Sequence, residues 1–254
     1  MLWFVAMSDP RRPTREVHQG DGLAWLAHAN AQGRLRGASI VTSLPDVSEL
    51  PALGPGGWER WFVDAARACC EAIDDDALAV FFQSDVKHDG LWIDKGSLVT
   101  RAARLAGLAT VFHRVVLRVP AGTVTHGRAA YSHLLGFSRR ARLDLARPGA
   151  DVIPDAGPAT WTRGMGLHAC RAACEAVIAF TPTRVVLDPF CGHGTVLAVA
   201  NELGLDAIGV ELGGKRARKA RALTVAAVLE RPDIARCDPE PTEVLRGHAE
   251  DAER

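Results

Sequence analysis

The residues with the clearest chemical use form the run Asp188-Pro189-Phe190-Cys191-Gly192-His193-Gly194-Thr195, which follows the apolar stretch Val185-Val186-Leu187. A branched strand that ends in an acid and opens through a glycine turn into a helix is a local sequence that holds a nucleotide-type cofactor. The glycines let the backbone approach a ligand closely, and the helix N-terminus presents free N–H groups. Glu211 lies 23 residues after Asp188, about one βαβ unit further on, where a strand-end carboxylate can accept both hydroxyls of a ribose. The run has no third glycine and no Gly-Lys-Ser/Thr, which tells against a dinucleotide or a nucleoside triphosphate. His168, Cys170 and Cys174 could suggest a metal, but they fall on one predicted helix with no second ligand pair at zinc spacing, so packing is expected and no metal.

The elements that must position these residues alternate along the chain. Residues 15–19 read as a strand that turns at Gly20-Asp21-Gly22 into a helix, and 38–42 as a buried strand stopped at Ser43-Leu44-Pro45-Asp46. Apolar residues at helical spacing predict a helix over 58–73, followed by a strand over 77–83 and a polar turn, Ser84-Asp85-Val86-Lys87. A helix over 96–105, strands over 111–119 and 130–137, and a loop-like stretch over 139–160 come next. A helix over 165–180 leads into the cradle strand. A helix over 197–203, a strand over 207–210 ending at Glu211 and a long basic helix over 215–229 complete the pattern. This alternation implies a doubly wound, mostly parallel sheet with helices on both faces. Asp188, Glu211, Asp21, the Ser43 turn and the Asp85 turn then gather along one edge of that sheet, as a single site.

Composition and length favour one large α/β domain. With 48% hydrophobic residues there is ample material for a core, and the segment after Val185 is too short for a doubly wound sheet of its own. The opening MLWFVAM is too short for a membrane span and lacks a cationic start, so no membrane partner is expected, and either Met1 or Met7 serves as the start. Six cysteines without regular spacing fit reduced thiols and a cytoplasmic location. Formal net charge is zero, but between Arg101 and Arg171 eleven arginines face three aspartates, a local balance of +8. A solvated surface explains any one of these arginines; the bias of the segment points to an acidic partner.

Taken together, these motifs resemble the class I S-adenosylmethionine-dependent methyltransferases. The likeness is to the group that methylates nitrogens of nucleic-acid bases with its catalytic half first. In that group a DPFCGSGT-like run cradles the methionine side of the cofactor, matched by residues 188–195 with His193 in place of a small residue. The preceding helix-proximal segment is similar at Thr160 to His168, which brings Thr162 to the cofactor, and the opening acid near the adenosine is matched by Asp21. The resemblance implies a circularly permuted seven-stranded sheet. One domain is expected over 1–254, with a catalytic half near 14–137, a short insert at 139–159, a cofactor half over 160–230 and a tail over 231–254. It also implies cofactor contacts from Asp21, Thr162, Asp188, Pro189, Phe190, Cys191, Gly192, Gly194, Thr195 and Glu211, with Cys191 a small turn residue and not a nucleophile.

The catalytic turn of such enzymes is Asp/Asn/Ser-Pro-Pro-aromatic. Here Ser43-Leu44-Pro45-Asp46 keeps a serine and one proline but loses the aromatic, and is closer to the Asn-Leu-Pro turn of several RNA N-methyltransferases. The resemblance gives Ser43 and the Leu44 carbonyl the task of holding a base nitrogen; Asp46, standing where the family has an aromatic, introduces a carboxylate expected to accept that nitrogen's hydrogen bond or its proton. Stacking then comes from elsewhere, with Trp92 a candidate, and Asp85 and Lys87 are expected to face the substrate. Arg118, Arg128, Arg139, Arg140 and Arg142 are expected on the polynucleotide surface. The short insert favours RNA, tRNA above all, recognised by shape. A DNA adenine-N6 or cytosine-N4 methyltransferase is the first alternative, and a small-molecule methyltransferase or inactive cofactor-binding module the second. A homodimer would enlarge the footprint, but no residue specifies one.

Overall fold

The computed structural model describes residues 12–146, 149–161 and 164–230. In chain order its elements are β1 (Arg15–Gln19), α1 (Gly22–Ala31), β2 (Ala38–Thr42), α2 (Gly54–Glu71), β3 (Ala79–Gln83), β4 (Val86–His88), β5 (Leu91–Ile93) and α3 (Lys95–Leu105). There follow β6 (Ala109–Leu117), β7 (Tyr131–Ser138), β8 (Val152–Ile153), α4 (Leu167–Phe180), β9 (Val185–Asp188), α5 (Thr195–Glu202), β10 (Asp206–Glu211), α6 (Gly214–Ala222) and α7 (Val225–Leu229).

Eight strands form one sheet in the order β1-β10-β9-β2-β3-β7-β6-β8. The first five run parallel, β7 runs antiparallel to both of its neighbours, and β8 is parallel to β6. Every residue of β2 and β3 is buried, because helices cover both faces. Ile40 and Phe81 pack with Leu26, Trp58, Phe62 and Val99 of α1, α2 and α3. Val41, Val80 and Phe82 pack on the other side with Cys170, Ala173, Val177 and Leu197 of α4 and α5. That two-sided burial is why these strands read as unbroken apolar runs. β9 lies centrally, with β10 and β1 to one side and β2 and β3 to the other, so the strand order reverses between β9 and β2. Such a reversal opens a crevice outside the carboxyl ends of the strands.

Four expectations change. The sheet has eight strands and not seven, because two residues of the stretch expected to be a loop, Val152 and Ile153, pair with β6. The polar turn after β3 is the start of a separate hairpin, β4-β5. Helix α2 begins at Gly54, with Pro55 in its first turn, where a missing N–H costs nothing. The long basic helix is two helices. Thr224 caps α7 by accepting the Ala227 N–H, and the Arg15 guanidinium takes the carbonyls of Ala220 and Leu223, satisfying the end of α6 from a strand at the far end of the chain. Among the described residues no helix is long and apolar enough to cross a membrane.

Candidate active site

The cradle follows directly from backbone geometry. Gly192 and Gly194 have φ of 54° and 85°, the left-handed region that favours glycine. A Cβ on Gly194 would also meet the Ala220 backbone of α6 at 2.8 Å, so the turn and α6 close on each other. At its other flank a Cβ on Gly22 would lie 2.0 Å from the Pro189 carbonyl oxygen, which seats the start of α1 on the Asp188-Pro189 bend. The Asp188 carboxylate is buried at the end of β9, where one oxygen accepts the Thr42 hydroxyl at 2.7 Å and the Phe190 N–H at 3.1 Å. Burial pushes its pKa up to about 7 against these hydrogen bonds, with the Glu211 charge adding to the rise. Glu211, at the end of β10, accepts the Gly213 N–H at 2.7 Å and Arg216 Nε at 2.8 Å. The Gly20 N–H donates to the Glu211 carbonyl, which brings Asp21 beside it, and Asp21 caps α1 by accepting the Ala24 N–H. Leu212, next in line, is an exposed apolar side chain on this edge. Phe190 packs edge-on against Trp61, Thr195 opens α5, and Cys191 is buried, which pushes its thiol pKa far up and leaves no thiolate. Thr162 lies outside the described residues, as do the two candidate start methionines and the tail.

The acceptor side departs from the sequence reading. Ser43 is half-buried at the end of β2, and its hydroxyl has no hydrogen-bond partner among the described residues. The Pro45 carbonyl accepts Trp58 Nε1 at 3.2 Å, which fixes the turn and leaves the Leu44 carbonyl as the acceptor. Asp46, expected to be a free proton acceptor, is instead buried and committed. One oxygen caps a short 3-10 turn through the Val47 N–H, and the other meets Arg128 Nη2 at 2.8 Å and Lys95 Nζ at 3.5 Å. Two cations hold it as a partner.

Asp85 is likewise a buried hub and not a substrate-facing acid. It accepts the Lys95 N–H at 2.9 Å, His133 Nε2 at 2.9 Å and Trp92 Nε1 at 3.2 Å. Burial alone would raise its pKa, but these donors, His133 foremost, outweigh it and hold the carboxyl below its ordinary value. His113 Nε2 meets His133 Nδ1 at 2.9 Å, extending the chain to the surface of β6. Lys87 Nζ lies 5.4 Å above the Trp92 ring and donates to the Thr125 carbonyl.

The arginines divide. Because β7 runs antiparallel to β3, its first residue sits at the cradle edge and its last at the opposite edge. Arg118, just past β6, and Arg128, just before β7, therefore flank the site. Arg139, Arg140 and Arg142 lie at the far edge, against Ile73, Asp75 and their own loop, and not at the cradle edge where the sequence reading put them. Lys95, His113, His133 and Trp58 were missed by sequence reasoning. The one available signal was histidine at strand positions 113 and 133, ambiguous without the pairing of β6 and β7.

The sheet, the cradle and the strand-end acids define a class I methyltransferase fold. A family profile described as DNA methylase, of the N6/N4 type, matches residues 178–221, the end of α4 through most of α6. No curated protein matches the chain in sequence. Among solved structures the chain is similar to a putative DNA modification methylase from Thermus thermophilus complexed with S-adenosyl-L-methionine. That pair is 19% identical over 82% of this chain and 92% of that one, with a TM-score of 0.60. It is also similar to M1.HpyAVI in complex with SAM (14%, 82% and 97%, 0.55) and to the cytosine-N4-specific PvuII DNA methyltransferase (14%, 87% and 95%, 0.56). Within its class the chain thus resembles the nucleic-acid base N-methyltransferases.

Proposed function

We propose that this protein transfers a methyl group from S-adenosylmethionine to an exocyclic amino nitrogen of a nucleic-acid base, adenine N6 or cytosine N4, in DNA. The observation that carries the reading is the hydrogen bond from Thr42 to Asp188, which joins the end of the acceptor strand β2 to the end of the cradle strand β9. The two turns that follow, Ser43-Leu44-Pro45 and Asp188 to Thr195, therefore open into one crevice. The cradle fits the cofactor: an open left-handed turn at Gly192, a strand-end carboxylate at Glu211 for the ribose and exposed Leu212 beside it for a purine face. When bound, S-adenosylmethionine supplies an electrophilic methyl on a sulfonium. The Ser43 hydroxyl and the Leu44 carbonyl accept hydrogen bonds from the two N–H groups of the amine, which holds its lone pair in line with the methyl; the sulfur leaves as a neutral thioether and the methylated nitrogen sheds one proton to solvent, positioning being the main catalytic effect. Asp46 keeps Arg128 and Lys95 in place behind that turn.

The choice of DNA over RNA reverses the sequence expectation. It rests on the DNA methylase profile and on the names of the similar structures. RNA stays the second reading because only 139–159 separates β7 from the segment preceding α4, little surface for reading several base pairs. The order of the halves, with β9 late in the chain yet central in the sheet, supports the permuted single-domain arrangement. Incubation with labelled S-adenosylmethionine and separate pools of unmodified duplex DNA, tRNA and rRNA, followed by nucleoside analysis, tests all of this. N6-methyladenine or N4-methylcytosine in DNA is the expected product; label only in RNA would overturn the DNA assignment.

A further inference from the structure

The β4-β5 hairpin is built as a rigid projection. Asp89 and Gly90, with φ of 49° and 73°, form the two-residue turn whose twist matches the flanking strands, and Val86, Lys87 and His88 pair with Ile93, Trp92 and Leu91. A lone hairpin is marginal in water. This one is fixed at its base by a bridge between Val86 and Arg128, by the Lys87 N–H on the Gly127 carbonyl, by the Ala129 N–H on the Asp85 carbonyl and by Trp92 Nε1 on buried Asp85. It stands beside the acceptor turn, since Arg128 also pairs with Asp46.

Next to the Asp89-Gly90 turn the returning strand exposes two apolar side chains: Leu91 is 73% and Trp92 49% accessible. Adjacent strand residues point to opposite faces, so these two side chains offer apolar surface on both sides of the ribbon. A partner lying flat would cover only one. The charge around it is mixed: Lys87 lies over the Trp92 ring, Lys87 and Arg118 donate to main-chain carbonyls and not to carboxylates, and the turn itself carries an exposed carboxylate, Asp89, beside His88.

We infer that the hairpin is a wedge that enters a nucleic-acid strand at the acceptor base, with Trp92 stacking on an unpaired base and Leu91 filling the stack on the other side. An aromatic carrying a cation suits a base face, and a bare aliphatic at a tip suits a gap between base steps. The inference rests on the proposed nucleic-acid substrate.

The test uses the full chain and two fluorescent DNA duplexes, one fully paired and one carrying a single bulged adenine. The parent protein is expected to prefer the bulged duplex. Leu91→Ala and Trp92→Ala should each lose about tenfold of affinity for it, with an unchanged slope of log affinity against log salt, because no phosphate contact is removed. Trp92→Phe keeps a stacking ring and loses only the bond to Asp85, so it should retain the preference. Equal loss in Trp92→Phe would show that Trp92 acts through Asp85, and an unchanged preference in Leu91→Ala, which is exposed and cannot unfold the chain, would make the tip a protein contact; either overturns the wedge. If the parent binds neither these duplexes nor their RNA counterparts while still binding S-adenosylmethionine, the nucleic-acid reading itself fails and the wedge with it.

Discussion

The cradle and the acceptor side lie on adjoining strands and are made in opposite ways. At the cradle most partners are neighbours in sequence: Asp188 accepts the N–H of Phe190, Glu211 that of Gly213, and two glycines set the turn, with the Thr42 hydroxyl a long-range addition on Asp188. On the acceptor side the groups are fixed across long separations, Asp46 by Arg128 82 residues away and Asp85 by His133 48 residues away. A ligand site that depends on backbone conformation can be encoded locally. One that depends on buried charge must be balanced by the whole fold, since an unpaired ion in a dry interior is costly.

If that contrast is right, substitutions on the acceptor side should damage stability and those at the cradle should damage cofactor affinity. The largest effect is expected from Asp46→Ala, which strands the buried Lys95 ammonium: a loss of about 3–5 kcal/mol in urea unfolding, since breaking a buried pair leaves an uncompensated charge. A change below about 1 kcal/mol would mean that water reaches the pair and that Asp46 is available for chemistry after all.

Next comes a pH effect at the boundary between the two regions. Asp188 has a folded pKa of about 7, above the roughly 3.9 of an unfolded aspartate, so folding favours its protonated form. That contribution is complete below pH about 4 and is lost as pH rises through about 7. Urea midpoints of the parent should therefore fall relative to those of Asp188→Asn across this window. Parallel pH curves for the two proteins would show that Asp188 is solvated.

Glu211→Ala should weaken S-adenosylmethionine binding by about 1.5–3 kcal/mol in calorimetry, the range for a lost charge-assisted hydrogen bond. Its melting temperature should change less than that of Asp46→Ala. The smallest effect separates the arginines: Arg118→Ala should reduce the salt slope of nucleic-acid binding by about one, whereas Arg140→Ala, paired with Asp75 at the far edge, should leave it unchanged.

The same contrast explains what the sequence disclosed. Glycines at 192 and 194, an acid closing a branched strand and a second acid one βαβ unit later have meaning within a few residues, so the cradle, the fold class and most strands were legible. Ser43-Leu44-Pro45-Asp46 was legible as a turn, but the role of Asp46 was not. Nothing near it in sequence announces Arg128 or Lys95. The error over Arg139, Arg140 and Arg142 has the same origin, because the direction of β7 decides which edge they reach and charge density says nothing of direction. The β4-β5 hairpin was hidden because its three-residue strands are too short for a periodic pattern, although Asp89-Gly90 is a turn signal in its own right.

The contact of Arg15 with the end of α6 has a consequence for how the chain comes into being. Among the described residues β1 has no neighbour in the sheet except β10, and Arg15 reaches Leu223 across 208 residues. On a ribosome, which releases a chain N-terminus first, β1 must therefore wait for β10, and β2 waits for β9 on one of its sides. Until then an apolar strand edge beside the acceptor turn stands open, the kind of surface on which newly made chains stick to one another. Pairing of the early strands β1 and β2 with β10 and β9 is thus completed only after the later part of the chain has emerged.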